Sequence, residues 1–401
     1  MKRTRFLAGL AAAVMAAGLL AGASAEWKEE KKNGKVVRRS WVNEAGAPAV
    51  SPEGYATVTL SYSGTTVTEK YLDLAGKPAR TVGGYYGRIL TYGNKHRLEE
   101  IVFLNEKGSP AENIAGFARI KAGYTAAGAV TTAGYYNASK NPTVVPSLGY
   151  AQVKNDYRGV VLTKTTYLDA KKNAVDVSLG YAVRIQSVNK NNKITGIRFE
   201  HADGSAAACA EGWASMKREI DSKNREVSLK YYDLAGNLTD RGQGWAYEVK
   251  NWESDQAYTV SRYDVNNRPI PMGSGYMSLR REMNRNGQVI RETYLDETGA
   301  ARENTEGIAT RKYTYDDSGR LSKVTFEGSR GDVTENSSGY AGYQETVNED
   351  GFLVSRVFLS KGGKPVNTTA GYAEIRYAYD GMGQITATEY YDADGALVRA
   401  E

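Results

Sequence analysis

The chain has 401 residues, with 52 Lys and Arg against 46 Asp and Glu, a formal net charge of +6 at neutral pH. Both signs are interspersed along it, so charge alone argues against a dedicated nucleic-acid binder. A single cysteine, Cys209, excludes an internal disulfide, and with only His96 and His201 the chain is too poor in imidazoles and thiols for a Cys/His zinc site.

The first element is not part of the fold. Met1-Lys2-Arg3-Thr4-Arg5 is basic, Phe6 to Leu20 is apolar, and Ala23-Ser24-Ala25 has the small-residue form of a cleavage site. That layout predicts a signal peptide over 1–25, removed before Glu26, which lowers the formal charge to +3. Ala23 stands where a lipidated cysteine would be. After residue 25 no apolar run approaches the roughly 18 residues of a spanning helix, so the processed chain is expected to be secreted, periplasmic or at the cell surface.

From residue 26 onward the sequence repeats. Gly followed by an aromatic, and usually by Ala, occurs at Gly54-Tyr55-Ala56, Gly84-Tyr85, Gly116-Phe117-Ala118, Gly149-Tyr150-Ala151, Gly180-Tyr181-Ala182 and Gly212-Trp213-Ala214. It continues at Gly244-Trp245-Ala246, Gly275-Tyr276, Gly307-Ile308-Ala309, Gly339-Tyr340-Ala341 and Gly371-Tyr372-Ala373. The steps are nearly equal, and a fixed period of this kind marks a repeat architecture. A second anchor, in phase with the first, is an aromatic, any residue, Asp or Asn, then a Gly or Asn three positions later. It begins at Trp41, Tyr71, Phe103, Tyr135, Tyr167, Phe199, Tyr231, Tyr294, Phe326, Phe358 and Tyr390, with Arg262 in the corresponding place of one copy.

Between the two anchors lies a turn such as Tyr315-Asp316-Asp317-Ser318-Gly319-Arg320-Leu321, or the one from Tyr379 to Ile385. Leu321 to Phe326 alternates, and Gly319 suits the positive φ of a type I turn with a G1 bulge, so each copy reads as two short antiparallel strands. No apolar stripe has helical spacing over ten residues. The expected fold is all-β: about 11–12 tandem two-stranded repeats of ~32 residues over 26–401, forming an elongated, twisted antiparallel array. A propeller-like closed assembly is the alternative, although a blade normally takes four strands.

The turn at Tyr315 resembles the YD repeat of bacterial RHS proteins (Y-D-x-x-G-R-L). The Gly-Trp-Ala copies at Gly212 and Gly244 resemble WG-type β-repeats of exported bacterial proteins. Both likenesses are local, and the period here is longer than that of YD units. They imply an exported bacterial β-repeat, and neither brings catalytic residues with it.

Candidate chemistry is sparse. His96 and His201 lie in turns, and the acids Asp73, Asp169, Asp233, Asp264, Asp296 and Asp392 recur in one turn column, where Asx hydrogen bonding accounts for Asp and Asn alike. Calcium asks for six to eight oxygens, and most copies supply one acid. No catalytic residue, metal or cofactor is therefore expected, and the chain is read as non-enzymatic.

Tyrosine is over-represented, 29 against 7 Phe, with a mean hydropathy of −0.52. This fits a thin core of rings with wet tips. The Gly-anchored rings are expected to stack on their counterparts one unit along. In the doublets Tyr85-Tyr86, Tyr135-Tyr136, Tyr231-Tyr232 and Tyr390-Tyr391, neighbours face opposite ways, so one of each pair is expected to be exposed and available to a ligand.

The reading is an exported, non-catalytic scaffold binding a cell-envelope or extracellular partner, a glycan or a surface protein. The alternatives are a glycan-binding aromatic ladder and a structural spacer with no ligand.

Overall fold

The computed structural model describes residues 26–43, 45–379 and 385–401; the expected signal peptide and most of the turn after Tyr379 lie outside the described residues. The chain forms two compact units, Met1–Ala210 and Glu211–Glu401.

Both units are built in the same way. A hairpin such as Gly87–Tyr92 with Leu98–Leu104 pairs antiparallel from Gly87↔Leu104 to Tyr92↔Leu98. Its second strand then pairs with the first strand of the next copy, Arg119–Tyr124, over only three positions, Glu100↔Lys121 to Val102↔Arg119. The same alternation of long and short ladders recurs in the second unit, at Thr310–Tyr315 with Leu321–Glu327 and then Gly342–Val347. Within each unit every long strand lies beside its sequence neighbours, and no pairing joins the first strand to the last among the described residues. The sheet of each unit is thus an open antiparallel meander, and the closed alternative is not adopted. Helix is confined, among the described residues, to one 3-10 turn at Asn94–His96.

The turns follow the sequence closely. Gly319 has φ +77 and donates to Asp316 O at 2.9 Å, while Asp316 N donates to Arg320 O, and the ladder shifts register between Thr314 and Tyr315. This is the type I turn with a G1 bulge expected from Asp317-Ser318-Gly319. In the acidic column, Asp73 Oδ1 accepts from the amides of Ala75 and Lys77, both at 2.9 Å. Asn105 accepts from Lys107 and Ser109 in the same way. Asp169, Asp264, Asp296 and Asp392 repeat the pattern. These acids close Asx turns, which is why Asn substitutes for Asp freely.

The core is a file of rings. In the first unit it runs Tyr55, Tyr71, Tyr85, Phe103, Phe117, Tyr135, Tyr150, Tyr167, Tyr181, Phe199, alternating between the two anchors. The Gly-anchored ring therefore does not stack on its counterpart one unit along. The second-anchor ring of the hairpin stands between them, because the connection folds the Gly-aromatic corner back over that hairpin. The steps alternate too. Within a copy the centroids are 4.4 Å apart (Tyr55–Tyr71) or 4.8 Å (Tyr85–Phe103, Phe117–Tyr135), and across a joint they are 5.7 Å (Phe103–Phe117) to 6.1 Å (Tyr135–Tyr150). The second unit shows the same rhythm, 4.7 Å for Tyr340–Phe358 and 5.9 Å for Phe358–Tyr372. There Ile308, fully buried, and Arg262, 4.7 Å from the Trp245 ring, replace a ring in the file.

The Ala that follows the aromatic marks the joint. Phe103 N donates to Ala118 O and Ala118 N to Tyr136 O, each at 2.8 Å. Ala118, Ala151, Ala182, Ala246, Ala309 and Ala373 are all wholly buried. In these six copies the neighbours close over the alanine where the two backbones meet, whereas Tyr86 and Met277 hold the same place in their own copies.

A further column, mostly tyrosine, clasps five of the joints from the far end of the hairpin. Tyr315 Oη donates to Val289 O at 2.7 Å, Tyr379 to Leu353 O at 2.7 Å and Tyr62 to Val36 O at 2.7 Å, each reaching 26 residues back. Tyr124 makes the same bond to Leu98 O, and Trp252 Nε1 does so to Glu226 O at 2.8 Å. The excess of Tyr over Phe has its reason here: the ring covers the joint and the hydroxyl satisfies a carbonyl of the preceding copy.

Candidate functional site

Tyr85, Tyr135, Tyr231 and Tyr390, the first members of the doublets, all belong to the ring file. The second members turn to the other face of the sheet, as strand geometry requires. They are half-buried there, not exposed, because cationic neighbours lie against three of them. Lys121 Nζ is 5.7 Å from the Tyr136 ring, Lys217 Nζ 5.2 Å from Tyr232, and the Arg376 guanidinium 4.0 Å from Tyr391. Tyr86 differs again: it occupies the Ala position of its copy, donating from its amide to Leu104 O. The doublets are thus three second-anchor pairs and one corner pair, and the structure gathers them into no common site.

Burial raises the phenol pKa of several tyrosines in the file, Tyr71, Tyr181 and Tyr294 among them. Tyr181 is pushed up to about 12, by desolvation first and then by the neighbouring phenol of Tyr167. Tyr294 is likewise pushed up to about 12, and Tyr71 lies well above the usual tyrosine range. These hydroxyls stay neutral throughout the physiological range and act as hydrogen-bond groups only.

A concave surface occurs in the second unit instead, across Ser215–Ile220, Glu226–Tyr232 and Tyr247–Trp252. It is an open groove of about 490 Å³. Trp252 and Tyr247 supply its rings. The Arg225 guanidinium lies 4.7 Å over Trp252 and pairs with Asp221 at 2.7 Å and Asp255 at 2.9 Å. Tyr247 stacks on Tyr263, centroids 4.7 Å apart and planes 8° apart, with Lys230 at 6.0 Å from its ring. Lys250 Nζ pairs with Glu226 at 2.7 Å. The Ser228 hydroxyl, ahead of Lys230, holds the Glu219 carboxyl below the usual range, and the Arg225 backbone amide does the same for Asp221.

Opposite charges alternate beside two rings, so the groove suits a polar partner that exchanges ion pairs. Arg225 and Trp252 are the residues that sequence reasoning missed. The only signal was Trp252 in a column otherwise held largely by Tyr.

His201 Nδ1 lies 3.0 Å from Asp176 Oδ2 and is half-buried, whereas His96 is exposed. Cys209 is half-buried. Among the described residues no group of three or more His, Cys, Asp or Glu is placed to hold a metal ion, and no helix is long and apolar enough to cross a membrane.

No protein-family model matches the chain, and no curated protein matches it. Among solved structures it is similar to a chain of a mutant Tc holotoxin pore from Photorhabdus luminescens, at 11% identity and a TM-score of 0.24, over 90% of this chain and 20% of that one. It is also similar to TcdB2-TccC3, at 12% identity and a TM-score of 0.24, over 92% of this chain and 23% of that one. A porin-like protein from Bacteroides uniformis matches at 7% identity and a TM-score of 0.21, over 82% and 91%. The chain spans about a fifth to a quarter of the length of the two toxin chains.

Proposed function

We propose that the chain is a non-catalytic, exported repeat scaffold that binds a cell-envelope or extracellular partner through the charged groove of its second unit. The observation that carries this reading is the division of labour among the side chains. The repeated rings, alanines and Asx turns are consumed in packing and joints, whereas Arg225, Lys230, Lys250 and Tyr247 converge, beside the joint-clasping Trp252, on one concave surface. Of the groove's ion pairs, Arg225–Asp255 has an exposed carboxylate and is the exchangeable one, since exposed pairs contribute only ~0–1 kcal/mol each.

The test is co-sedimentation of the purified protein with envelope fractions, untreated or treated with protease or periodate. The Arg225→Ala/Trp252→Ala variant runs in parallel. Pelleting that is lost in the variant supports the groove. Pelleting that survives it moves the interface elsewhere, and no pelleting at all supports the spacer. Sensitivity to protease alone identifies a protein partner.

Glycan binding is the second reading, and loss of pelleting after periodate alone supports it. The half-buried second tyrosines of the doublets, Tyr86, Tyr136, Tyr232 and Tyr391, are its candidates on the sheet face. A smaller cavity in the same unit favours it more directly.

A further inference from the structure

A polar cavity of about 210 Å³ lies at the joint between the hairpin Thr310–Glu327 and the corner 336–340. At roughly 30 Å³ per water it holds about seven waters, the displacement of one monosaccharide ring, and it falls below the ~300 Å³ at which drug-sized pockets begin.

Its chemistry is narrow. Arg311 is the only cation lining it, and Glu306 the only carboxylate, and the two form an ion pair. The site is therefore neutral, and a phosphate or carboxylate entering it would meet Glu306. One carboxylate does not hold a divalent cation.

What remains is a set of uncommitted hydrogen-bonding groups. The hydroxyls of Ser337, Ser338, Tyr340 and Tyr343 make no hydrogen bond to another described residue. Asn336 Oδ1 accepts from the amides of Ser338 and Tyr340, at 3.0 and 3.3 Å, which leaves its side-chain amide hydrogens unused. Arg311 Nε is buried and without a hydrogen-bond partner. By contrast Tyr313, also lining the cavity, is already committed through Oη to Glu292 at 2.6 Å.

The walls are rigid. Tyr340 is clamped in the ring file between Phe326 and Phe358, at 5.6 and 4.7 Å, and the Arg356 guanidinium lies 4.7 Å from the Tyr343 ring.

The arrangement does not repeat. One copy earlier, the positions of Glu306, Arg311 and Tyr313 are taken by Ser274, Leu279 and Arg281. One copy later they are taken by Ser338, Tyr343 and Glu345. A device that served packing alone would recur with the copies.

We infer that this cavity is a binding site for one neutral, polyhydroxylated ring: a single neutral sugar residue of a glycan, held by Arg311 and Glu306 on one side and by the Ser337, Ser338, Tyr340 and Tyr343 hydroxyls on the other. It deepens the glycan form of the proposed function and rests on that form, but not on the groove.

The test is saturation-transfer NMR of the purified protein with the methyl glycosides of glucose, galactose, mannose and N-acetylglucosamine. Affinity is expected on the order of 1 mM for a ligand of about a dozen heavy atoms. The Ser337→Ala/Tyr343→Phe variant keeps both rings and the fold and is expected to weaken binding at least tenfold. Ser338→Trp fills the cavity and is expected to abolish it, with thermal unfolding of both variants followed in parallel.

Saturation from none of the four sugars overturns the inference, and so does binding that both variants leave unchanged. Envelope pelleting that persists in Ser338→Trp while sugar binding is lost leaves the groove standing. Loss of pelleting in Ser338→Trp, with the groove variant still pelleting, does the reverse and moves envelope binding to the cavity.

Discussion

Phe103 stands in the middle of the first unit's ring file, fully buried, 4.8 Å from Tyr85 and 5.7 Å from Phe117. Replacing it with Leu keeps an apolar side chain of similar bulk and removes both ring–ring contacts. Each such contact is worth about 0.5–1.5 kcal/mol beyond its buried area, so Phe103→Leu should cost about 1–3 kcal/mol. Phe103→Ala opens a cavity as well and should cost about 3–5 kcal/mol. Urea unfolding gives both values, and amide hydrogen exchange locates the loss. Because each copy touches mainly its neighbours, protection should fall first in Gly87–Tyr92, Leu98–Leu104 and Arg119–Tyr124, and least at Glu26–Lys32. A Phe103→Leu protein as stable as the parent would mean that the rings only fill space and that the file has no energetic identity. Uniform loss of protection across the unit would refute the nearest-neighbour account instead.

Ala118→Leu forces three extra carbons into a site with no accessible surface and should destabilise by about 1–3 kcal/mol; an unchanged urea midpoint would refute the close-contact explanation of the Ala column. Tyr315→Phe removes the hydroxyl that reaches Val289 O and should cost about 1 kcal/mol, whereas the same change at Tyr232, whose hydroxyl holds no described bond, should be neutral in the same assay. The carboxyls of Asp169, Asp221 and Asp316 are held below the usual range chiefly by turn amides, and that of Asp296 by the Thr298 hydroxyl. Their folded pKa values lie below the unfolded value near 4, so their contribution is present above about pH 4 and lost as pH falls through the folded values. Urea midpoints measured from pH 6 down to pH 2.5 should decline below about pH 4, and a midpoint that holds or rises would contradict the Asx-turn account.

Much of this architecture is legible in the order of residues. Gly319 and its counterparts announce the turns, the alternation of Leu321 to Phe326 announces the strands, and the two aromatic anchors announce a repeating core. The merging of both anchors into one file is not legible. Tyr71 and Tyr85 are well separated along the chain, and nothing local says that the corner at Gly84 folds back over the hairpin that precedes it. Half-burial of Tyr136, Tyr232 and Tyr391 escaped for a related reason. The covering Lys121, Lys217 and Arg376 come from the partner strand, and register decides which cation meets which ring. The 210 Å³ cavity draws Glu306, Arg311, Ser338 and Tyr343 from four segments across one joint, and only the fold makes them neighbours.

The unequal steps of the ring file restrict how this gene can change length. A short step always leads from a corner ring to a hairpin ring, and a long one from a hairpin ring to the next corner. Duplicating or deleting one whole copy restores that alternation at the scar. A cut of half a copy would instead set two rings of one kind side by side, and the tyrosine clasp reaching 26 residues back would miss its carbonyl. The array can therefore grow or shrink only in whole copies, and a chain of this design counts its own repeats.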